Sequence, residues 1–175
     1  MLQSAWDKIE QFYSLPHIDP AAVSQFQTLK KSQSSHTKKE GNPLHYCAFF
    51  LPFDLSQKQI YLGHHKKAND WIPPGGHIEP GETPVDAAIR EMQEELSTSI
   101  SADQLSPFAL SVKPINRPES GCMTHYDVWY LVNIPVQPFN YLKSEYYDAG
   151  WFSVPDGVDK IKHNPDFANI IRQLS

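Results

Sequence analysis

The chain has 175 residues, of which 40% are hydrophobic and 20% are charged, and this composition predicts one soluble globular domain with a small appendage. Its formal net charge of −5 argues against a general nucleic-acid-binding protein, because such proteins are usually basic. The two cysteines, Cys47 and Cys122, make no disulfide framework and lack metal-ligand spacing, so a reducing, cytoplasmic setting is expected. Neither a signal peptide nor a membrane contact is expected, because the start lacks a basic-then-apolar leader and the longest apolar run is Tyr46–Leu51.

The N-terminal segment has the pattern of two short helices followed by a linker. Ser4 is the predicted cap of a helix that runs through Phe12, and Pro20 is the predicted start of a second helix. The polar stretch that follows is rich in Ser, Lys and Gly and predicts the linker. The helices either pack against the main domain or form a cap over a substrate site or a dimer contact, and the sequence leaves these alternatives open. The predicted organisation is a helical appendage and linker at 1–42 and a main domain at 43–175.

From residue 44 the pattern changes to strands with helices inserted between them. Pro52–Lys58 is predicted as a hairpin-like turn, and helices are predicted at Pro84–Leu96 and Phe167–Leu174. Such an order predicts an α/β (α+β) fold with a mixed β-sheet covered on both faces. The predicted strands are His45–Pro52, Gln59–Gly63, Asp70–Ile72, Gly76–Ile78, Phe108–Ile115, Met123–Ile134 and Gly150–Val154.

The helix predicted over Pro84–Leu96 has an acidic face beside its apolar stripe, with Thr83 as its predicted cap. Glu91, Glu94 and Glu95 share that face because they lie at i, i+3 and i+4, and their repulsion costs about 0.2–0.5 kcal/mol per pair. A divalent cation would reverse this cost, and Mg²⁺ prefers oxygen ligands and substrate phosphates. The alternative from these residues alone is a solvated acidic helix face. The Pro-Pro-Gly-Gly turn before the helix favours the cation site, because it can bring backbone amides close to the start of the helix. A helix N-terminus is also a favourable place for phosphate.

This stretch resembles the Nudix box, G-x5-E-x7-R-E-U-x-E-E-x-G-U, where U is a bulky aliphatic residue. Ser97 and Thr98 depart from the last two positions of the pattern, and at Ser97 we expect a helix end that differs from a left-handed glycine cap. The upstream Trp-x-Pro-Pro-Gly-Gly also resembles the usual lead-in of the family. The fixed positions that agree in type and spacing are Gly76, Glu82, Arg90, Glu91, Glu94 and Glu95, and Met92 fills the first aliphatic position.

The resemblance implies a Nudix-type α/β/α sandwich that hydrolyses a nucleoside diphosphate linked to another group. Such enzymes use Mg²⁺, with Mn²⁺ as an alternative, and a metal-activated water that attacks phosphorus. Arg90 would pair with a neighbouring glutamate and hold it in register. The partner would be a small-molecule nucleotide, and a homodimer is an open possibility because relatives are often dimers. The implied metal set is Gly76, Glu82, Glu91, Glu94 and Glu95.

Several residues outside the box are candidates for catalysis or substrate binding. Glu145 resembles, by its region of the chain, a glutamate that supplies a further metal ligand or the general base in many Nudix enzymes, and the alternative is a surface loop residue. His64, His65 and Lys66 end the second predicted strand. They either supply positive charge near the phosphates or belong to a solvated turn.

The remaining candidates are predicted to line the pocket. His77 either touches substrate or makes a structural hydrogen bond. His125 and Asp127 share one face of a strand because they lie at i and i+2, but two side chains do not fix a metal site. Pro114 resembles a marker of the ADP-ribose-cleaving subgroup.

Two other functions compete with the hydrolase. A nucleotide-sensing Nudix-like module usually lacks box glutamates, which this chain keeps. An isomerase acting on isoprenyl diphosphate would need an active-site cysteine, for which Cys47 is the candidate.

Overall fold

The N-terminal helices pack on strands of the main sheet. The computed structural model describes residues 5–32 and 37–175, so the predicted cap Ser4 lies outside the described residues. The first helix, α1 (Ala5–Glu10), continues into a 3-10 turn, and α2 (Pro20–Ser32) follows it. The ring of Phe26 on α2 stacks on Tyr46 at 5.4 Å, as packing against the main domain requires. The boundary between appendage and main domain at residue 42 stays a prediction.

Within the part of the chain that the structure describes, seven strands form one sheet, and the fold class is the predicted mixed α/β arrangement. The strand order is β3-β2-β1-β6-β5, with β4 paired to β1 and β7 paired to β2. The pairs β1–β2, β2–β3 and β2–β7 are antiparallel. The strands are β1 (Leu44–Asp54), β2 (Gln59–His65), β3 (Asp70–Ile72), β4 (Gly75–His77), β5 (Leu105–Arg117), β6 (Cys122–Asn133) and β7 (Tyr146–Ser153), and the later helices are α3 (Pro84–Leu96), α4 (Val154–Lys160) and α5 (Pro165–Arg172).

Two compact units can be distinguished within the chain. Unit 1 comprises Met1–Phe49, Gly76–Ala88 and Pro107–Tyr130, and unit 2 comprises Phe50–Gly75, Ile89–Ser106 and Leu131–Ser175. Among the described residues, none of the helices combines the length and apolar content needed to cross a membrane.

The core of unit 1 is aromatic and contains a buried polar chain. Along β6, residues 127–130 are all buried, which fits a strand covered on both faces. Trp129 donates its indole N–H to Ser111 Oγ at 3.0 Å, and Ser111 donates to Asp127 Oδ2 at 3.0 Å. These bonds satisfy the polar atoms that Trp129 and Ser111 bring into the interior.

Unit 2 is built around the antiparallel ladder of β2 and β7, with α4 packed on it. A methyl group at Gly157 of α4 would lie 2.5 Å from the side chain of Ile60, so the helix approaches β2 as closely as a glycine allows. Helix α4 was not predicted, although Ser153 caps it by accepting from Asp156 N–H at 3.2 Å. The cap sequence Ser-x-Pro-Asp was the available signal.

The turn predicted at Pro52–Lys58 is shorter in the structure, because strand β1 continues to Asp54. The Asp54 carboxylate accepts backbone N–H groups of Ser56, Gln57 and Val136 at 2.8, 3.0 and 2.9 Å. It therefore closes the turn at residues 55–58 and holds a second loop of unit 2 against the end of β1. These bonds, with that from the Ser56 hydroxyl first, lower the pKa of Asp54 to about 2.

Helix α3 has the predicted bounds but ends in an unexpected way. Ser97 adopts the left-handed conformation with φ of 53°, so the expectation of a different helix end at this serine was wrong. Its hydroxyl donates to Asn140 O at 3.1 Å, and the Thr98 N–H donates to Met92 O at 3.4 Å. A residue with a Cβ is strained in this conformation by roughly 1 kcal/mol or more.

We expect Asp54→Asn to lower the stability of the protein at pH 7, because a neutral amide accepts the same N–H groups more weakly. The folded pKa of about 2 lies below the ordinary value of 3.8, so the stabilisation is present above pH 3.8 and is lost as the pH falls through 2. Urea denaturation at a series of pH values should show the difference from wild type shrinking toward pH 2. A difference that is constant with pH would contradict this role of the charge.

Ser97→Gly should be more stable than Ser97→Ala by about 1 kcal/mol, because glycine adopts a positive φ without strain. Both variants lose the hydroxyl bond to Asn140, so their difference isolates the backbone strain. Chemical denaturation of the two variants measures it, and equal stabilities would show that the left-handed conformation is not strained in the folded protein.

Candidate active site

The acidic face of α3 is braced by an arginine. Arg90 Nη1 lies 2.8 Å from Glu91 Oε1 and 3.3 Å from Glu94 Oε2. The Arg90 side chain is 24% exposed, whereas that of Glu94 is more than half exposed. The ion pairs fix the Glu91 carboxylate beside the helix and offset part of the repulsion within the cluster. The start of the same helix is set by a reciprocal cap, in which Thr83 Oγ1 accepts from Asp86 N–H at 3.2 Å, as predicted for Thr83.

Glu95 is the buried member of the acidic face, with 5% of its surface exposed. Its Oε2 accepts the Gly75 N–H and the Tyr146 hydroxyl, each at 2.9 Å. Burial, followed by the charge of Glu91, raises the pKa of Glu95 to about 8, although both hydrogen bonds oppose the shift. A carboxylate that is hard to ionise in place would gain strongly from a nearby cation.

Glu145 lies close enough to the acidic face for its charge to contribute to the raised pKa of Glu95. Its Oε2 is 3.4 Å from His65 Nε2 and 3.4 Å from Lys67 Nζ. Its backbone carbonyl accepts the Lys66 N–H at 2.8 Å. The structure therefore brings Glu145 together with the basic residues at the end of β2. Glu145 is not an isolated carboxylate on a surface loop.

His64 points to a different set of side chains from its neighbour His65. Its ring stacks on Trp71 with centroids 5.5 Å apart and an interplanar angle of 14°. Lys160 Nζ lies 4.3 Å from the centroid of the same Trp71 ring. Trp71 is thus engaged by packing partners within unit 2.

Glu82 and Gly76, in unit 1, belong to the segment before α3. Glu82 Oε2 accepts the Glu79 N–H at 2.9 Å, and this bond closes the turn before the helix. Gly76 is the middle residue of β4. The part of each in metal binding stays a prediction.

His77 and His125 meet in unit 1, where sequence spacing did not place them together. Their Nε2 atoms lie 3.4 Å apart, and Cys122 Sγ lies 3.7 Å from His77 Nε2. His45 joins them, with its ring centroid 4.8 Å from that of His77. Burial, followed by the charges of His77 and His45, lowers the pKa of His125 to about 3. Sequence reasoning missed His45 and Cys122, because the ligand-type residues come from three separate strands.

Asp127 lies in the interior with 1% of its surface exposed. Its Oδ2 accepts from Ser111, and burial raises the pKa of this carboxyl to about 7. The structure keeps it near His125, as the shared strand face predicts. Contact of either residue with substrate stays a prediction.

The donor groups on α3 suit a hard divalent cation. Carboxylate oxygens are the ligands that Mg²⁺ prefers, and the buried Glu95 beside Glu91 is a pair whose charges a cation would compensate. The residues present therefore fit the metal that the box implies.

Gly63→Ala should displace the Tyr146 ring, because a Cβ at Gly63 would lie 2.3 Å from two of its ring carbons. The hydrogen bond from the Tyr146 hydroxyl to Glu95 should be disrupted with it. We expect a loss of about 1–3 kcal/mol of stability from this overpacking. Gly150→Ala is the matched control in the paired strand, since its Cβ would meet the nearest atoms of other residues only at 3.8 Å. Denaturation curves measure both variants, and equal losses would contradict a specific role for the Gly63–Tyr146 contact.

Comparisons with known proteins give one long match to a family model and several short matches to curated relatives. The family model described as NUDIX domain matches residues 43–174. The m7GpppN-mRNA hydrolase NUDT17 of Xenopus laevis is 59% identical over 43 residues, which are 22% of this chain and 14% of that protein. The asymmetrical bis(5'-nucleosyl)-tetraphosphatase of Rattus norvegicus is 54% identical over 35 residues, or 20% of this chain and 22% of that enzyme. The chain thus matches less than a quarter of the length of these curated relatives.

Solved structures share the fold at low sequence identity. The E. coli dihydroneopterin triphosphate pyrophosphohydrolase matches with a TM-score of 0.63 and 19% identity, over 73% of this chain and 92% of that one. The MutT protein from Methanosarcina mazei Go1 matches with a TM-score of 0.62 and 14% identity, over 76% and 94%. Since the family model covers most of the chain and the box residues lie within its match, the chain belongs to the Nudix family.

Proposed function

We propose that this protein hydrolyses the pyrophosphate linkage of a nucleoside diphosphate joined to another group, with Mg²⁺ as the cofactor and Mn²⁺ as an alternative. The observation that carries the proposal is the buried Glu95 carboxylate, pinned by Gly75 and Tyr146 next to the Arg90-braced Glu91. A solvated acidic helix face would not bury one of its carboxylates at the cost of a raised pKa.

The α3 carboxylates would hold the cation. Glu91, Glu94 and Glu95 are the central ligands of the proposal, with Gly76 and Glu82 completing the set. When bound, Mg²⁺ supplies an activated water and offsets negative charge on the phosphate oxygens. Metal charge near Glu95 would favour its ionised form at neutral pH.

Arg90 and Tyr146 are positioning residues in this proposal. Arg90 keeps the Glu91 and Glu94 carboxylates turned toward one side of the helix through its two ion pairs. Tyr146 donates to one oxygen of Glu95 and leaves the other oxygen available to a cation.

The basic end of β2 is proposed to meet the anionic part of the substrate. His65, Lys66 and Lys67 lie around Glu145, whose backbone and side chain both contact this segment. Glu145 is proposed as a further ligand or as the base that accepts a proton from water. In an acidic protein the charges of Lys66 and Lys67 would lower the repulsion that a polyphosphate meets.

The relatives suggest which linked nucleotides to test first. Two of them are named as a hydrolase of m7GpppN-mRNA and a bis(5'-nucleosyl)-tetraphosphatase, so a capped dinucleotide and a dinucleoside tetraphosphate head the panel. Nucleotide sugars and nucleoside triphosphates complete it. A small-molecule partner, a cytoplasmic setting and a homodimer remain predictions.

The isomerase alternative finds little support in the structure. Cys47, its candidate nucleophile, is buried in β1 with 2% of its surface exposed. A buried thiol away from solvent is typical of a structural cysteine.

Glu94→Gln should lower turnover of the preferred substrate by about a hundredfold or more, because it removes one of the charges that hold the metal. Glu94 is largely exposed, so the variant should fold normally. Phosphate release, with and without added phosphatase, measures the rate in Mg²⁺. Glu119→Gln, an exposed glutamate outside the box, is the control and should keep wild-type activity.

Two outcomes would reject the proposal. Turnover that survives both Glu94→Gln and Glu95→Gln would rule out catalysis by the acidic face. Tight nucleotide binding without turnover of any member of the panel would indicate the nucleotide-sensing module instead.

A further inference from the structure

Three histidines and a cysteine converge in unit 1. We name His45, His77, Cys122 and His125 the histidine–cysteine cluster. One potential ligand atom from each lies within 4.8 Å of those of the other three. His45 lies on β1, His77 on β4, and Cys122 and His125 on β6.

Two of the distances between these atoms match those between ligands of one tetrahedral ion. A metal with nitrogen ligands at about 2.0–2.1 Å and a sulfur ligand at about 2.3 Å places two nitrogens about 3.4 Å apart, and a nitrogen and the sulfur about 3.6 Å apart. The two Nε2 atoms of His77 and His125 are separated by 3.4 Å, and Cys122 Sγ lies 3.7 Å from His77 Nε2. These two pairs are therefore spaced as they would be around one metal ion, and the ligand atoms of the other pairs lie within 4.8 Å of each other.

His45 is prepared for ligation by its backbone contact. Its Nδ1 lies 2.7 Å from Asn42 O, and a carbonyl can only accept, so Nδ1 carries the proton. In the neutral ring Nε2 then presents a lone pair, and among the described residues it has no hydrogen-bond partner although His45 is fully buried. Metal-binding histidines characteristically donate their other ring N–H to a carbonyl or carboxylate in this way.

The chemical types of the ligand atoms indicate which metal ion the cluster would bind. Imidazole nitrogen and thiolate sulfur suit Zn²⁺ and other soft or borderline metals, whereas Mg²⁺ requires oxygen ligands. Four protein ligands close a tetrahedral shell, which is typical of a structural zinc site and leaves no position for substrate. We propose that the histidine–cysteine cluster binds one Zn²⁺ ion as a structural site, separate from the Mg²⁺ proposed for the α3 carboxylates.

The ion would join three strands of the sheet. Strand β4 is only three residues long, and His77 comes directly after Gly76 of the box. A metal bond to His77 would anchor this short strand to β1 and β6. The proposal stands on the geometry of the cluster and does not require the hydrolase activity.

The protein should bind about one equivalent of Zn²⁺ per chain after purification without chelator, as measured by mass spectrometry of the metal. Metal-free protein refilled with Co²⁺ should show a thiolate-to-cobalt charge-transfer band in the near ultraviolet and the visible bands of a tetrahedral ion. Zinc should also raise the melting temperature of the metal-free protein, because it binds only the folded state.

Matched variants assign the ligands. Cys122→Ser should remove the charge-transfer band, and His125→Gln should lower zinc affinity by at least tenfold. Cys47→Ser is the cysteine control, because Cys47 is the other buried cysteine and lies near His125 in an alternative group with Asp127. It should keep both the band and the zinc. Glu94→Gln should also keep the zinc, which separates this site from the one on α3.

Three results would overturn the proposal. The first is wild-type protein that takes up no zinc and gives no thiolate band with Co²⁺, a result that does not depend on the folding of any variant. The second is equal zinc affinity in wild type and Cys122→Ser. The third is loss of the band in Cys47→Ser with its retention in Cys122→Ser, which would assign the alternative group instead.

Discussion

The buried carboxylate of Glu95 is the constraint on which the proposed active site depends. Its hydrogen bonds from Gly75 and Tyr146 fix it against the rest of unit 2, and Glu91 lies close enough to raise its pKa. Protein interiors bury a charge only where a partner compensates it. The close approach of Gly63 to the Tyr146 ring shows how tightly the packing sets the position of the Glu95 partner.

Two kinds of donor atom separate the two metal proposals. The acidic face of α3 offers carboxylate oxygens, which suit a hard ion that must also contact phosphates. The histidine–cysteine cluster offers nitrogen and sulfur, which suit an ion held by protein alone. The difference follows from the secondary structure. A single helix turn can gather three glutamates, whereas the cluster needs side chains from three strands.

Much of the fold could be predicted from local pattern. The bounds of α3 followed from its apolar periodicity and its Thr83 cap, and the box spacing gave the acidic set. Helix α4 was missed because it is short and follows a strand without a break, although Ser153 and its cap were visible in the sequence. Ser97 was misread because tertiary contacts, including the bond to Asn140, accompany a backbone conformation that serine disfavours.

The sequence by itself determined that Glu91, Glu94 and Glu95 share one helical face, because their spacing is a property of the α-helix alone. It also determined which residues match the Nudix box, and the order in which strands and helices alternate. Only the tertiary structure decided that Glu95 is the buried member, and that His45 and Cys122 join His77 and His125. The physical reason is that burial and long-range convergence depend on how strands distant in the chain pair, which no local spacing encodes.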